Sequence, residues 1–500
     1  METTAFGRSG VLLTAAGFII AVTTALAGIA EPPSDRKVIH VLNRLAFGPT
    51  LGEVHFVKAT GIEHYLAEQL DPDSIPEAVE LRYRLAQLDT LKLSAVQLRQ
   101  LYGPLARLRG FKPNPELEKA QRERSRIVLQ DVAEARILRA VLSRRQLQEV
   151  MADFWFNHFN VFSGKGLDDV WVGNYEEQAI RPFALGRFRD LLFATTKHPA
   201  MLVYLDNTLS TAPGSAGARG KQKGLNENFA REVMELHTLG ADGGYTQEDV
   251  ITLARILTGW TVNAPDARAY PEYAAVFEGG RHDYSPKVFL GHMMKSRGKA
   301  EGEEALDMLA HSPATAHHIG FELAQYFVAD DPPPALVDRL AARFTETGGN
   351  IREVLKTLFA SGEFWDSAGQ KYKTPYQFVV SAVRAADFTV GNVRPLLAAL
   401  DQLGMPLYGC LTPDGYKNTE DAWLSPDATT RRIGFATALA RGELPLYGAK
   451  GAAGARPVDA ASLEALLGST VTESTRRAII EAPQGLRAAL VLGSPDFMRH

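Results

Sequence analysis

The chain has 500 residues, of which 45% are hydrophobic and 22% are charged, and its formal net charge is −4. This is ordinary globular usage with enough apolar material for a large core, and it excludes the global basic field that would favour a nucleic-acid partner. The single cysteine, Cys410, excludes an intrachain disulfide and a thiolate metal cluster, so the core alone must hold the fold.

The N-terminus carries an uncharged apolar segment, residues 9–30, preceded by Arg8. Two small-residue triplets near its end, residues 25–27 and 28–30, fit the cleavage pattern of a secretory signal peptide. An uncleaved membrane anchor is the alternative, because the segment is long enough to span a bilayer. With either outcome we expect an exported protein of the periplasm or cell envelope, whose only membrane contact is through residues 9–30 if they are retained.

The rest of the chain shows helical periodicity almost throughout. The stretch DRKVIHVLNRLAFGPT places Val38, Leu42 and Leu45 on one face and stops at Gly48-Pro49. A short helix is predicted over GIEHYLAEQLDP, and one long helical pattern runs over residues 125–156. The stretch STAPGSAGARGKQKG predicts a loop; it fails as a phosphate loop, so no nucleotide cofactor is expected.

Alternation with period two is rare. The stretch YPEYAAVFEGGRHDYSPKVFLGH predicts one small hairpin that turns at Gly279-Gly280. We therefore predict a mainly α fold, a large multi-helix body with long irregular loops and at most a small β-hairpin. The expected division is a signal peptide or anchor over residues 1–30, a main helical domain over 31–445, and a loop plus C-terminal helices over 446–500 that pack on the main body.

Two similar phrases recur, TLFASGEFW at residues 357–365 and LVLGSPDFM at residues 490–498. Each has an apolar run, then Ser, any residue, an acid and Phe. The pattern is typical of a helix that ends and of a next turn that begins with an acid. Two copies do not make a repeat protein, and we interpret them as two similar helical units.

The stretch with the densest polar chemistry is NENFAREVMELHTLGADGGYTQEDVITLARILTGW, residues 226–260. Asn226 is a good helix N-cap, Gly240 ends the helix, and Thr246 opens a capping box for the next helix. The segment is therefore a helical hairpin.

The first helix of this hairpin can be interpreted in two ways. In the structural one, Glu227, Arg231 and Glu235 form an ion-pair ladder at i,i+4 spacing, and His237 caps the last turn. In the functional one, Glu232, Glu235 or His237 belongs to a site that other helices complete. His237 lies about 200° around the helix from Glu235, so the helix alone cannot bring them together.

Other helices offer partners for such a site. DFWFNHFNVF embeds Asp153, Asn157 and His158 among large aromatics, where a buried histidine must find a hydrogen bond. His318 and Glu322 stand at i,i+4 spacing and could co-ligate a metal. Four further polar residues could join such a site, although the sequence does not show how they would meet it: Asp206, His282, Asp283 and Lys287.

Several of these stretches resemble the bacterial family known as domain of unknown function 1800, over roughly residues 36–500. The resemblance implies an exported, largely helical protein. It implies no activity and no catalytic residues, because the family has none established. It also suggests as partner a co-encoded exported protein that resembles phosphatases and sulfatases. The stretches that carry it include FWFNHFNVF, HPAMLVYLDN, LNENFAREVMELHTLGADGGYTQEDV, HDYSPKVFLG and HSPATAHHIGFELAQYFVADDPP.

The residues support two hypotheses of different class. The first is an envelope enzyme, hydrolytic or metal-assisted, with a centre of His158, Glu232, Glu235, His237 and Arg231. One carboxylate would act as base, and a divalent metal, if bound, would be held by His158, Glu232 and His237. The second is a non-catalytic assembly or binding protein of the envelope, in which the same residues form ion pairs that fix the helix register.

Overall fold

The computed structural model describes residue 1 and residues 34–104, 114–218, 224–262, 275–447 and 457–500. The described part is mainly helical, as predicted, with 24 α-helices and two small antiparallel sheets of two strands each. None of the helices in these ranges is long and apolar enough to cross a membrane. The predicted signal peptide or anchor lies outside the described residues.

The helices follow one another in chain order with mostly short connections. They are α1 Asp35–Leu45, α2 Leu51–Thr60, α3 Ile62–Leu70, α4 Val79–Leu85, α5 Ala95–Tyr102, α6 Pro115–Leu142, α7 Gln146–His158, α8 Asp168–Tyr175, α9 Phe188–Lys197, α10 Pro199–Tyr204, α11 Asn228–Glu235, α12 Gln247–Ile256, α13 Lys299–Ala310, α14 Pro313–Phe327, α15 Pro334–Glu346, α16 Ile351–Phe359, α17 Gly362–Asp366, α18 Pro375–Ala385, α19 Arg394–Gln402, α20 Glu420–Trp423, α21 Pro426–Ala440, α22 Ala460–Leu467, α23 Glu473–Glu481 and α24 Gln484–Leu492.

The apolar spacing of the first predicted helix produces the expected buried face. Val38, Leu42 and Leu45 of α1 are fully buried in the core. The capping box predicted at Thr246 is present: its hydroxyl accepts from the Asp249 amide, and the Asp249 carboxylate accepts from the Thr246 amide. For α11 the predicted ends are wrong: its N-cap is Glu227 and not Asn226, although the Asn226 side-chain oxygen accepts from the Asn228 amide, and it ends at Glu235 and not at Gly240. Local sequence therefore predicts the start of α12 well and the ends of α11 less well.

The helical pattern predicted over residues 125–156 is present as two helices, α6 and α7, with a break between them. Ser143 adopts an extended conformation between them, with ψ at 140°. The Gln146 side chain holds this break by donating to Ala140 O and Ser143 O and by accepting from the Phe47 amide. The break re-aims α7, which carries Asp153 and His158.

The hairpin predicted to turn at Gly279-Gly280 is also wrong. The strands are β1 Trp260–Val262, β2 Ala275–Phe277, β3 Lys287–Phe289 and β4 His292–Met294. Strand β2 pairs with β1 in the antiparallel register Trp260↔Phe277, and β3 pairs with β4 as Val288↔Met293. The apolar residues were identified correctly, but their partners lie elsewhere, since residues 279–281 form a 3₁₀ turn.

The two similar phrases fold alike. Ser361 and Ser494 each accept from the amide of the Phe three residues later, at 3.2 and 3.1 Å, and each donates back to the carbonyl three residues earlier. Phe364 and Phe497 are both buried. In the C-terminal part, α24 packs on α21, α22 and α23. The domain boundary at 445 stays a prediction.

Candidate functional site

A cavity of about 330 Å³ lies between α7, α14 and the segment 405–419 that precedes α20. Its volume is in the range of small-molecule sites. Its walls combine aromatic rings with charged and amide groups. The residues that line it include Arg136, Asp153, Asn157, His158, Phe321, Glu322, Gln325, Tyr326, Tyr408, Cys410, Asp414, Tyr416 and Lys417.

Helix α7 contributes the side chains of Asp153, Asn157 and His158 to the cavity, and Asn157 holds the opposite wall in place. The Asn157 amide donates to Tyr416 O at 2.8 Å and its oxygen accepts from the Tyr416 amide at 2.7 Å. Gly415 has φ at +69°, and a Cβ on it would lie 2.3 Å from Asn157 O, so only glycine fits this contact. Asn160 donates to Cys410 O and Thr412 O. The end of α7 therefore holds the 405–419 segment in place.

One side of the cavity rests on a buried ion network. Arg136 contacts Asp153 at 2.5 Å and Glu176 at 3.1 Å, and Arg181 contacts Glu176 at 2.9 Å. A π-helical turn at residues 176–180 continues α8 and directs Glu176 into this network. The Tyr408 hydroxyl donates to Glu176 at 2.8 Å. The whole set, which we call the matched network, is Arg136, Arg139, Arg181, Glu149, Asp153, Glu176 and Glu177.

Burial and partners act against each other on the carboxylates of this network. Burial alone would raise the pKa of Glu176, but Arg136, Arg181 and the Tyr408 hydroxyl outweigh it and lower that pKa. For Asp153 the balance is the opposite: burial raises its pKa, and Arg136 only partly compensates. The pKa values of Glu176 and Asp153 therefore shift in opposite directions although both belong to one network.

The other side of the cavity is organised by Glu322 of α14. Its Oε2 lies 2.5 Å from His158 Nδ1, and its Oε1 lies 3.5 Å from His318 Nε2. His158 Nε2 faces the carbonyl of His237 at 3.2 Å, and His318 Nε2 faces the carbonyl of Leu236 at 3.2 Å. Burial would raise the pKa of Glu322, but His158 and His318 outweigh it and lower that pKa. Glu322 is therefore the ionised partner of two imidazoles.

The structure brings two of the predicted site residues together. The rings of His158 and His237 lie 6.1 Å apart between centroids. His237 is 1% exposed, and within the described part of the chain its Nε2 has no hydrogen-bond partner. Burial, and then the charges of His158 and His318, hold the pKa of His237 well below its ordinary value. His237 is thus a neutral, buried neighbour of the His158–Glu322 pair; it does not cap the helix end.

The other three predicted residues lie on the outer face of α11. Arg231 pairs with Glu227 at 3.6 Å and with Gln247 of α12 at 2.8 Å, and Glu235 bonds Tyr245. Glu232 is half-buried; burial, Glu235 and Asp414 raise its pKa. Glu232 is not among the residues that line the cavity, although its charge couples to that of Asp414, which does line it. Arg231 and Glu235 are partly exposed, and of the predicted ladder only the Glu227–Arg231 step is an ion pair in the described part of the chain.

The remaining polar candidates form separate clusters. His282 contacts Glu301 at 3.0 Å and Lys287 contacts the same carboxylate at 3.0 Å, all three being fully buried. Asp206 pairs with Lys165 at 2.8 Å.

Sequence reasoning missed the residues that complete the site. It noted the His318–Glu322 spacing but not that Glu322 meets His158, and it did not single out Arg136, Tyr408 or the Asp414–Lys417 pair, whose atoms lie 2.9 Å apart. A signal was available on α7, because Asp153 and Asn157 stand at i,i+4 on a helix of aromatics. Glu322 lies 164 positions from His158 and Tyr408 lies 232 positions from Glu176, so no local pattern could pair them, whereas Arg136 and Asp153 are only 17 positions apart.

Within the described ranges, no group of three or more His, Cys, Asp or Glu side chains is arranged to hold a metal ion. Both ring nitrogens of His158 face protein oxygens, which leaves neither of them directed at a shared ligand position. The predicted metal set of His158, Glu232 and His237 stays a prediction.

A family model described as "Protein of unknown function (DUF1800)" matches residues 40–499, so the chain belongs to this family. No curated protein and no solved structure matches the chain.

Proposed function

We propose that this DUF1800 protein is a hydrolase that works by acid–base chemistry on a small, polar ligand in the cavity. One observation carries the proposal. Two carboxyl groups, Asp153 and Glu322, line the same cavity, and their surroundings move their pKa values in opposite directions. Such a divergence assigns one group as proton donor and the other as proton acceptor.

Glu322 is the base in this scheme. Its lowered pKa keeps it ionised, and the imidazoles of His158 and His318 fix both of its oxygens in orientation. An ionised and oriented carboxylate can take a proton from a water molecule that attacks the bound ligand. His158 is a positioning residue here, because its two nitrogens are engaged by Glu322 and by the His237 carbonyl.

Asp153 is the acid. Its raised pKa favours the protonated form, and Arg136 holds its Oδ1, which leaves Oδ2 to give a proton to a leaving group. Arg136 also supplies a fixed positive charge next to the position where negative charge develops. The rings of Phe321, Tyr326 and Tyr416 pack on apolar parts of the ligand and exclude water.

A substrate panel with matched variants tests the proposal. Chromogenic glycosides, carboxylic esters and phosphate esters are offered to the wild type and to Asp153→Asn and Glu322→Gln. We expect one class to be cleaved and both variants to lose about 10²-fold or more in kcat/KM. Glu232→Gln, which alters a half-buried carboxylate that does not line the cavity, is the matched control and should retain most activity. Cleavage that survives both variants would contradict the assignment.

A binding protein is the second candidate, and the engagement of both His158 nitrogens favours it. A cavity whose polar groups are already bonded to one another is rigid, which suits recognition without chemistry. Turnover of nothing in the panel, together with a ligand that raises the unfolding temperature of the wild type but not of Tyr416→Ala, would move the assignment to this class.

Export is part of the proposal and rests on residues 1–30 of the sequence. Fractionation of cells, with N-terminal sequencing of the mature chain, tests it and decides between cleavage and anchoring. The co-encoded phosphatase- or sulfatase-like partner stays a prediction.

A further inference from the structure

A second set of buried charges lies outside the cavity, and none of its three cations forms an ion pair with a carboxylate of the described residues; only the charge of Asp330 acts on one of them, Arg44. We call Arg44, Lys373 and Arg432 the cationic cluster; they are 2%, 3% and 0% exposed. Arg44 comes from α1, Lys373 precedes α18, and Arg432 comes from α21. The three side chains meet under the C-terminal residues, where Phe497 lies 4.0 Å from the Lys373 ammonium.

The hydrogen bonds of this cluster go to neutral oxygens. Arg44 donates to Ser367 O at 2.9 Å, Arg432 donates to Lys373 O at 2.8 Å, and Lys373 donates to Ser381 Oγ at 3.2 Å. Nε and Nη1 of both arginines are buried and find no hydrogen-bond partner among the described residues. The guanidinium of Arg432 otherwise faces the rings of Tyr372 and Phe378, at 4.5 and 5.0 Å.

Carboxylates do lie in this region, but each is bonded to another group. Asp330, whose charge acts on Arg44, is hydrogen-bonded to Lys371, and Glu420 is hydrogen-bonded to Arg499. Asp496 accepts from the Thr472 amide. Two histidines add to the imbalance: His40 lies close enough to Arg44 to feel its charge, and His500 lies close enough to Arg44 and Lys373. A buried charge without a counter-charge costs several kcal/mol after relaxation.

We propose that the cationic cluster is a binding site for one small oxyanion, a carboxylate or a phosphate-like ion. The unpartnered arginine nitrogens are donors of the type that binds such oxygens in pairs. A cavity of about 20 Å³ lies beside the lysine of the cluster, with Lys373, Asp496, Phe497 and Arg499 among its lining residues, whereas Arg44 and Arg432 are not among them. Its size admits only a small group. The oxyanion can be a free ion, or a carboxylate that the protein itself carries at or beyond His500.

Burial and mutual repulsion fit this assignment. Burial, then the charges of Arg432 and Arg44, lower the pKa of Lys373 to about 7. An oxyanion at the cluster would restore the charged form of this lysine and satisfy the arginine nitrogens. The site is separate from Asp153 and Glu322, so the result of its test does not depend on whether the protein is a hydrolase.

A phosphate titration at constant ionic strength, with chloride as the balancing ion, tests the site. The readout is the unfolding temperature of four proteins: the wild type, Lys373→Met, Lys287→Met, and the chain with Gly-Ser-Gly appended after His500. Lys287→Met is the matched control, because this buried lysine already contacts Glu301 at 3.0 Å.

A free oxyanion predicts that phosphate raises the unfolding temperature of the wild type and of Lys287→Met by a few degrees, and that Lys373→Met loses this response. If the oxyanion is a carboxylate of the protein itself, phosphate should not change the unfolding temperature of the wild type. The extended chain should then unfold at a lower temperature, and phosphate should restore it. Should Lys373→Met fail to fold, Lys373→Arg keeps the charge and is expected to keep the response. The absence of any phosphate response in both the wild type and the extended chain would overturn the proposal.

Discussion

The matched network and the cationic cluster both bury arginines, yet they differ in how those charges are neutralised. In the network, three guanidiniums meet four carboxylates within the same chain. In the cluster, the partners of Arg44, Lys373 and Arg432 among the described residues are neutral oxygens and aromatic rings. A protein tolerates the first arrangement unaided, whereas the second calls for a partner that the side chains do not supply.

The difference also separates two kinds of site. The matched network is complete in itself, and it supports one wall of a cavity and tunes Asp153. The cationic cluster is incomplete, and its unpartnered nitrogens define what must fill it. Buried polar groups that are hydrogen-bonded indicate a rigid structure, while buried polar groups without hydrogen-bond partners indicate that a partner is missing.

Breaking the matched network should have the largest effect. Arg136→Met leaves Glu176 and Asp153 without one of their cations, and we expect the free energy of unfolding to fall by about 3–5 kcal/mol. Urea unfolding measures it. Arg339→Met is the control: its pair with Glu363, at 2.8 Å, is largely exposed, so its loss should stay within about 1 kcal/mol. Equal losses for both variants would contradict the account.

Acid should weaken the region of the cationic cluster through its histidines. Burial, and then Arg44, lower the pKa of His40 to about 3 from 6.5. Since the unfolded chain binds this proton near pH 6.5 and the folded protein does not, stability falls as the pH decreases below 6.5, by up to about 1.4 kcal/mol per pH unit. Unfolding between pH 6 and pH 4 measures the slope.

His40→Gln keeps a donor for Phe364 O, which His40 Nε2 contacts at 2.8 Å, and removes the titration. We expect its slope to be flatter than that of the wild type by one proton. A slope that does not respond to His40→Gln would show that other groups set the acid response.

The dependence of stability on alkaline pH gives a second test of the cationic cluster, through the titration of Lys373. In the absence of an oxyanion, Lys373 loses its proton near pH 7 in the folded protein, while the unfolded chain keeps it until about pH 10.4. Stability would then rise between pH 7.5 and 9, by less than about 1.4 kcal/mol per pH unit. With the oxyanion bound, Lys373 stays charged and we expect a flat profile in phosphate buffer. A full rise in phosphate would contradict the proposed site.

The smallest effect is expected at the ladder on α11. Arg231 and Glu227 are each 39% exposed at a distance of 3.6 Å, so Arg231→Ala should change the free energy of unfolding by less than about 1 kcal/mol. Thermal or urea unfolding is sufficient to measure it. A loss of several kcal/mol would mean that this pair is structural in the way the sequence alone allowed.

Local patterns predicted much of the helical scaffold. The face of α1 and the capping box at Thr246 follow from spacing within one turn, and so do the two Ser-x-acid-Phe turns. Pairings between distant segments were not predictable. β2 pairs with β1 across residues 263–274, and the break at Ser143 depends on Gln146 reaching Phe47, 99 positions away.

The candidate site shows the same limit. His158 and His237 were predicted as site residues and do lie together, because a buried histidine among aromatics needs a polar neighbour. Glu322 was visible only as an i,i+4 partner of His318, and its contact with His158 spans 164 positions. Arg231 and Glu235 were attractive by charge alone; their partial exposure became apparent only in the fold.

The divergent protonation of Asp153 and Glu322 is the claim on which the proposed hydrolase depends. The most direct measurement is a ¹³C NMR titration of the side-chain carboxyl groups, assigned with Asp153→Asn and Glu322→Gln. An aspartate ordinarily ionises at a lower pH than a glutamate. The account predicts the reverse here, with Glu322 ionised at a pH where Asp153 still holds its proton. Ionisation of Asp153 before Glu322, or of both together, would contradict it.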